Sequence, residues 1–430
     1  MSDRSFVTTD LTPTRRGWHR RDVLRSAAMG IAGAGLFGWQ ATLAANAATL
    51  RRQGKACILL WMQGGPSQLE TFDPKPEHAN GGETRAIETN VSGIRLSENL
   101  PQLARRMDKV ALLRGMTGKE GSHPRASFLM HTGYLPTAAL RYPTLGANVA
   151  HQLGDPTAEL PSFVRIGRGA RADSGGGYLG VKFDPLVVAD PTTPPENTAP
   201  TTETARFRRR LSLVEQLEST GSAHPRGMAD HRELLGRAST MILSPSMSVF
   251  DLERESEADR EAYGDTDFGR GCLLARRLVE SGVTFVEVGL GNWDTHQDNF
   301  EKSRELCGQL DQPFARLIED LEQRGLLEST LVLCMGEFGR TPKINPRGGR
   351  DHFPRAFSTA IAGGGVRGGQ VIGGTDDSGS EVIDRPVEAA DLFRSVYRLL
   401  GIDPDHENMS GVGRPIPLVT GGEFVQELVS

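Results

Sequence analysis

The sequence predicts an α/β fold with a doubly wound, mostly parallel sheet, and three observations lead there. Short apolar runs of strand length alternate with stretches of helical period. Those runs are unbroken, as in strands covered on both faces. Acids and histidines follow several of them at the carboxyl end, the edge where open α/β sheets bind ligands. At 430 residues the chain has the length for one large domain with insertions, or for two domains.

Composition narrows the class. With 37% hydrophobic and 24% charged residues the chain is ordinary for a globular protein, so overall disorder is excluded. A net charge of -5 supplies no general attraction to nucleic acid. The 51 glycines point to many tight turns and backbone-lined loops. Cys57, Cys272, Cys307 and Cys334 are widely spaced in apolar contexts, without a C-x-x-C pair, and read as buried core thiols.

The amino terminus reads as a targeting segment. His19-Arg20-Arg21-Asp22-Val23-Leu24-Arg25 resembles a twin-arginine export signal; an apolar Gly/Ala-rich run to Trp39 and a small-residue cleavage site, Ala45-Asn46-Ala47, follow. Residues 1–48 are therefore set apart from a domain spanning 49–430. The resemblance implies export by the twin-arginine machinery to a bacterial periplasmic or external location. The apolar run is too short and too Gly-rich for a membrane span, and no other hydrophobic segment is long enough to cross a bilayer.

Within the domain, Ala56–Met62 (ACILLWM) predicts a central strand that stops at the breaker cluster Gln63-Gly64-Gly65-Pro66. Val110–Leu113 predicts a second strand, after which Ser122-His123-Pro124-Arg125 enters a helix ended by Gly133. Phe163–Ile166 is a third short strand. Residues 184–205, rich in Pro and Thr, read as a surface excursion, and Arg206 to Val279 as a charged helical insertion or lid. Its histidines, His224 and His231, abut no strand end and read as surface residues.

The α/β rhythm resumes with a strand at Val283–Val288 and a long helix from Asp298 to Gln323, which Pro313 should kink. Leu331–Met335 predicts a buried strand ending at Gly336-Glu337-Phe338-Gly339. A Gly-rich loop then brings Asp351 and His352, ahead of a strand near Ser358–Ala362 and hairpin material to Gly374. Val387–Leu400 is an amphipathic helix capped by Gly401.

Three loops thus place acids or histidines after strands, namely Asp294 with His296, Glu337, and Asp351 with His352. Imidazole plus carboxylate is the ligand mix of zinc or a similar divalent ion. Each also has a plainer reading: Asp294 as a loop cap, Glu337 as a helix cap or the partner of Arg340. Ser122 is either a nucleophile activated by a metal or by His123, or an ordinary N-cap. The helix start it precedes offers backbone N–H groups to an anion, and Arg125 adds a forked donor.

The segments LLWMQGGPSQLETFDPKP (59–76), SHPRASFLMHTGYLP (122–136), VEVGLGNWDTHQDNF (286–300), GEFGRTPKI (336–344) and GRDHFP (349–354) resemble the bacterial DUF1501 family. That family looks like a branch of the alkaline phosphatase and sulfatase superfamily. The resemblance implies an alkaline phosphatase-like core in which Asp294, His296 and His352 match the Asp/His/His set holding one metal. A second metal's set is damaged, since Gln63 and Glu337-Phe338 stand where an acid and an Asp-His pair belong. SHPRASFLMHTGYLP is similar to the sulfatase signature, with Ser122 or, in the alternative alignment, His123 as nucleophile. No cysteine is present there to become formylglycine.

The implied function is an exported metal-dependent hydrolase of phosphate or sulfate esters. Its metal would be zinc, manganese or calcium, held by Asp294, His296, His352, Glu337 and Asp351, and its substrate an anionic small molecule or glycan. The alternative is a non-catalytic binding protein on the same fold.

Overall fold

The computed structural model describes residues 54–167, 175–200, 202–220 and 227–430. The segment read from sequence as an export signal and His224 lie outside the described residues, as does the side chain of His231.

Eight strands form the main sheet: β1 (Ala56–Met62), β2 (Val110–Met116), β3 (Phe163–Ile166), β4 (Leu186–Val188), β5 (Phe285–Leu290), β6 (Thr330–Met335), β7 (Phe357–Gly363) and β8 (Gln370–Ile372). Their spatial order is β8-β2-β7-β6-β1-β5-β3-β4. Only β7 runs against its neighbours; the remaining pairings are parallel. The mostly parallel, doubly wound sheet expected from the sequence is the one found.

β1 explains why its sequence is unbroken. Ile58, Leu60 and Met62 enter one core layer, while Cys57, Leu59 and Trp61 enter the layer on the opposite face. A strand with helices on both sides has no solvent face to carry polar residues. The longer helices among the described residues are α1 (His123–Thr132), α2 (Leu145–Leu153), α3 (Thr204–Thr220), α4 (Gly227–Leu243), α5 (Asp267–Glu280), α6 (Asn299–Gln323) and α7 (Ala389–Leu399). Apolar residues of α5 and α6 fill the first layer, those of α1, α2 and α7 the second. Each large side chain so buried contributes roughly 1.5–3 kcal/mol.

Helix ends follow the local chemistry. Thr144 and Thr266 cap α2 and α5 through their hydroxyls, and Glu388 with Asp391 forms a reciprocal capping box on α7. α6 continues through Pro313. The four cysteines are buried free thiols.

The stretch from 184 to 280 departs from the insertion expected there. Leu186–Val188 pairs in parallel with β3 as the edge strand of the sheet, and α5 is a core helix packed on β5. The segment between β4 and α5 is not wholly an excursion either, because Val249, Phe250, Leu252 and Tyr263 lie in the first core layer. Pro and Thr around Leu186 mask a three-residue strand that only its neighbour completes. No described helix is long and apolar enough to cross a membrane.

Candidate metal centre

Because β1, β2, β5 and β6 run in the same direction, the loops after them emerge at one edge of the sheet. β7, running the other way, starts at that edge, so the loop before it arrives there too. These connections deliver Gly64, His123, Asp294 with His296, Glu337, and His352.

Asp294 Oδ1 is the meeting point. It lies 3.1 Å from His296 Nε2, 3.3 Å from His352 Nε2 and 3.4 Å from His123 Nε2. His296 Nε2 and His352 Nε2 are 3.0 Å apart. Ligand-capable atoms of His123, Asp294 and His352 all fall within 4.8 Å of one another. Atoms bound to zinc at ~2.0–2.1 Å in a tetrahedron are themselves roughly 3.4 Å apart, so the spacing suits such an ion.

Every imidazole is oriented from behind. His123 Nδ1 lies 2.7 Å from Glu337 Oε1, His296 Nδ1 2.8 Å from Asp351 Oδ1, and His352 Nδ1 2.8 Å from the carbonyl of Gly121. Carboxylate and carbonyl oxygens accept, so each Nδ1 is the donor. In a neutral ring the Nε2 then carries a lone pair, and three lone pairs converge on one carboxylate oxygen. That arrangement repels itself unless a proton or a cation lies between the groups, and imidazole with carboxylate is a donor set suited to zinc.

Electrostatics follow the contacts. Burial pulls the Asp294 carboxyl up, but Arg340 and the imidazoles outweigh it and hold it at about 2. Glu337 lifts His123 above the ordinary imidazole range against the opposing effect of burial. Burial, with His123 and Arg340 nearby, lowers His352.

Two buried arginines build the frame. Arg340 Nη2 donates to Asp294 Oδ1 at 2.6 Å, while Nε and Nη1 donate to the carbonyls of Gly65 and Arg350 at 2.8 and 3.2 Å. Arg350 forks onto Glu70 at 3.0 and 2.7 Å and also donates to the carbonyls of Thr341 and Asn80. Asn345 Nδ2 donates to the carbonyl of His296 at 3.0 Å, tying the loop before His352 to the loop after β5. Gly64 sits at φ +115°, where a Cβ would come 2.6 Å from the backbone nitrogen of Asp294. Only glycine brings the first-strand loop that close.

From residue 54 to residue 429 the sequence matches the family described as "Protein of unknown function (DUF1501)". The chain belongs to the DUF1501 family. No curated protein matches it in sequence. Among solved structures it is similar to the PsFucS1 sulfatase from Pseudoalteromonas sp., with 12% identity, a TM-score of 0.41, and 84% of this chain and 71% of that one covered. It is also similar to the lipoteichoic acid synthase LtaP from Listeria monocytogenes, at 9% identity, TM-score 0.39 and 85% and 75% coverage. A third is the phosphonate monoester hydrolase of Agrobacterium radiobacter, at 14% identity, TM-score 0.35 and 87% and 77% coverage.

In this DUF1501 protein the residues singled out from sequence separate into those facing one point and those behind. Asp294, His296 and His352 meet. His123, read from sequence as catalytic, faces the same oxygen. Glu337 and Asp351, read as ligands, stand one step back: both Glu337 oxygens accept from the Gly64 N–H, at 3.0 and 3.1 Å, and Oε1 also holds His123. Glu337 does not pair with Arg340, whose carboxylate partner is Asp294.

Ser122 occupies the N-cap of α1, yet its side chain makes no capping bond and is exposed. Arg125 points away into an exposed pair with Glu120, Nε to Oε2 2.6 Å. Arg340, Arg350, Glu70 and Asn345 carry no local sequence signal that marks them as site residues. Each is polar and lies in a quoted motif or the loop between motifs, but its role depends on a partner far along the chain.

Proposed function

We propose that this DUF1501 member is an exported, metal-dependent hydrolase of phosphate or sulfate esters. The observation that carries the reading is the convergence of His296 Nε2 and His352 Nε2 on Asp294 Oδ1 at 3.1 and 3.3 Å. Asp294, His296 and His352 would hold a divalent ion, zinc in the first instance. Bound there, the ion would supply Lewis-acid polarisation of the ester oxygen and offset developing negative charge.

The protein's own residues do the rest. Asp351 and the Gly121 carbonyl fix the tautomers of His296 and His352, keeping both Nε2 atoms turned inward. Arg340 keeps Asp294 ionised. Ser122, exposed at the start of a ten-residue helix, stands where an anionic group meets backbone N–H donors and is the attacking hydroxyl in this reading. The twin-arginine-like segment supports export to the periplasm or beyond, and an anionic small molecule or glycan is the substrate class.

The mature protein should be purified after growth with zinc and its metal content measured, then assayed against aryl phosphates and aryl sulfates. The reading expects stoichiometric metal that is lost in His352→Ala, together with turnover that metal removal abolishes. A protein that takes up no zinc, manganese or calcium would falsify it. One observation favours the non-catalytic alternative: the Phe338 ring packs 4.8 Å from the His123 ring and 4.7 Å from that of His352, an apolar wall at the centre. Full metal loading without turnover of any ester would select that alternative.

A further inference from the structure

We infer that His123 is a ligand of the same ion, which makes the donor set three imidazoles and one carboxylate and pins the start of α1 to the centre. The inference rests on the metal reading above and extends it to a residue whose sequence signal pointed to nucleophilic chemistry.

Three observations carry it. His123 Nε2 is buried and has no hydrogen-bond partner, an orphaned polar atom 3.4 Å from Asp294 Oδ1. Its ring cannot swing to satisfy that atom elsewhere. Nδ1 is fixed to Glu337 at 2.7 Å, and Glu337 is itself fixed by the Gly64 N–H through both oxygens. The faces are held by Phe338 at 4.8 Å and by His352, edge-on at 4.3 Å. A locked imidazole whose free nitrogen faces a carboxylate shared with two other imidazoles has the surroundings of a metal ligand. The Glu337 carboxylate behind it adds basicity, so Glu337 is a positioning residue. Ser122, with its hydroxyl exposed, is left outside the set.

The consequence is structural as well as chemical. His123 begins α1, Asp294 and His296 follow β5, and His352 precedes β7. One ion would fasten three segments that share no covalent neighbourhood.

The test is cobalt substitution in the full chain. Metal-free protein is titrated with Co(II), following the visible absorption bands, and with Zn(II) against a competing chelator. Wild type is expected to bind one ion per chain; H123A should weaken binding by at least ~10–100-fold and change the cobalt band, E337Q should weaken it less, and S122A should leave both unchanged. X-ray absorption on the zinc-loaded wild type, which needs no variant to fold, should count three imidazoles. An H123A protein with wild-type affinity and an unaltered cobalt spectrum, or a count of two imidazoles, overturns the inference while the metal reading stands. Failure of the wild type to bind either ion overturns both.

Discussion

Arg340 and Asp294 share one short contact, Nη2 to Oδ1 at 2.6 Å, with the guanidinium fully buried and the carboxylate half-exposed. The same guanidinium serves the carbonyls of Gly64, Gly65 and Arg350. Arg340→Met would leave those buried acceptors without donors and release Asp294. The expected loss of unfolding free energy is roughly 3 kcal/mol, readable by urea denaturation of the metal-free protein. Arg340→Lys should recover part of it, since one ammonium cannot reproduce the fork. A loss below ~0.5 kcal/mol in the Met variant would show that the pair is ornamental.

Deeper in the sheet, Arg165 on β3 and Glu287 on β5 stand opposite each other in register and meet at 3.1 and 3.2 Å, with His131 of α1 at 3.5 Å from Glu287. Burial alone would raise the Glu287 carboxyl, but Arg165 and His131 outweigh it and hold it at about 2, against 4.5 ordinarily. The folded value is the lower one. Its stabilisation is therefore complete above the unfolded value and is lost as pH falls through the folded one. Acid unfolding of the wild type should steepen between pH 4.5 and about 2. In Glu287→Gln that part of the pH dependence should disappear, and the variant should be less stable at pH 7 by ~3–5 kcal/mol because the Glu287 carboxylate no longer offsets the burial of the Arg165 charge. An unchanged acid limb in the variant would contradict the assignment.

The elements that were legible in the sequence are those whose signal is local. Ala56–Met62 is apolar throughout because helices cover both faces, and that needs no knowledge of a neighbour. Asp294, His296 and His352 were legible as chemistry because each sits beside a strand. Their supports were not. Glu337 reads as a ligand at a strand's end, and only the Gly64 amide, 273 residues earlier, turns it toward His123. Leu186–Val188 was lost for a related reason: three residues among prolines carry no period, and the strand exists because β3 offers it an edge.

Metal binding should couple to both stability and pH. An ion that binds only the folded chain at a hundred times its dissociation constant adds ~2.7 kcal/mol. Zinc should therefore raise the melting temperature, and a chelator should reverse the rise. The imidazoles must be unprotonated to ligate, so the zinc-dependent increment should shrink as pH is lowered and protons compete with the ion for the ring nitrogens. His352→Ala should lack the increment at every pH. An equal zinc effect in that variant would place the ion elsewhere on the chain.

The loop that carries Asp351 and His352 is held by a second buried arginine, and this contact can be tested without any metal. Arg350 and Glu70 are both fully buried and joined by two bonds, Nη2 to Oε1 at 2.7 Å and Nε to Oε2 at 3.0 Å. The arginine also reaches the carbonyls of Thr341, Pro342 and Asn80, tying the first-strand loop to the loop before β7. Removing one partner strands a buried charge, so Glu70→Ala and Arg350→Ala should each cost ~3–5 kcal/mol. The double variant should cost clearly less than the sum, because the second truncation removes the charge that the first left unpaired. Unfolding free energies of the four proteins form the cycle. Strict additivity would mean that the two residues act on the loop independently, and that Glu70 is not what orders the approach to His352.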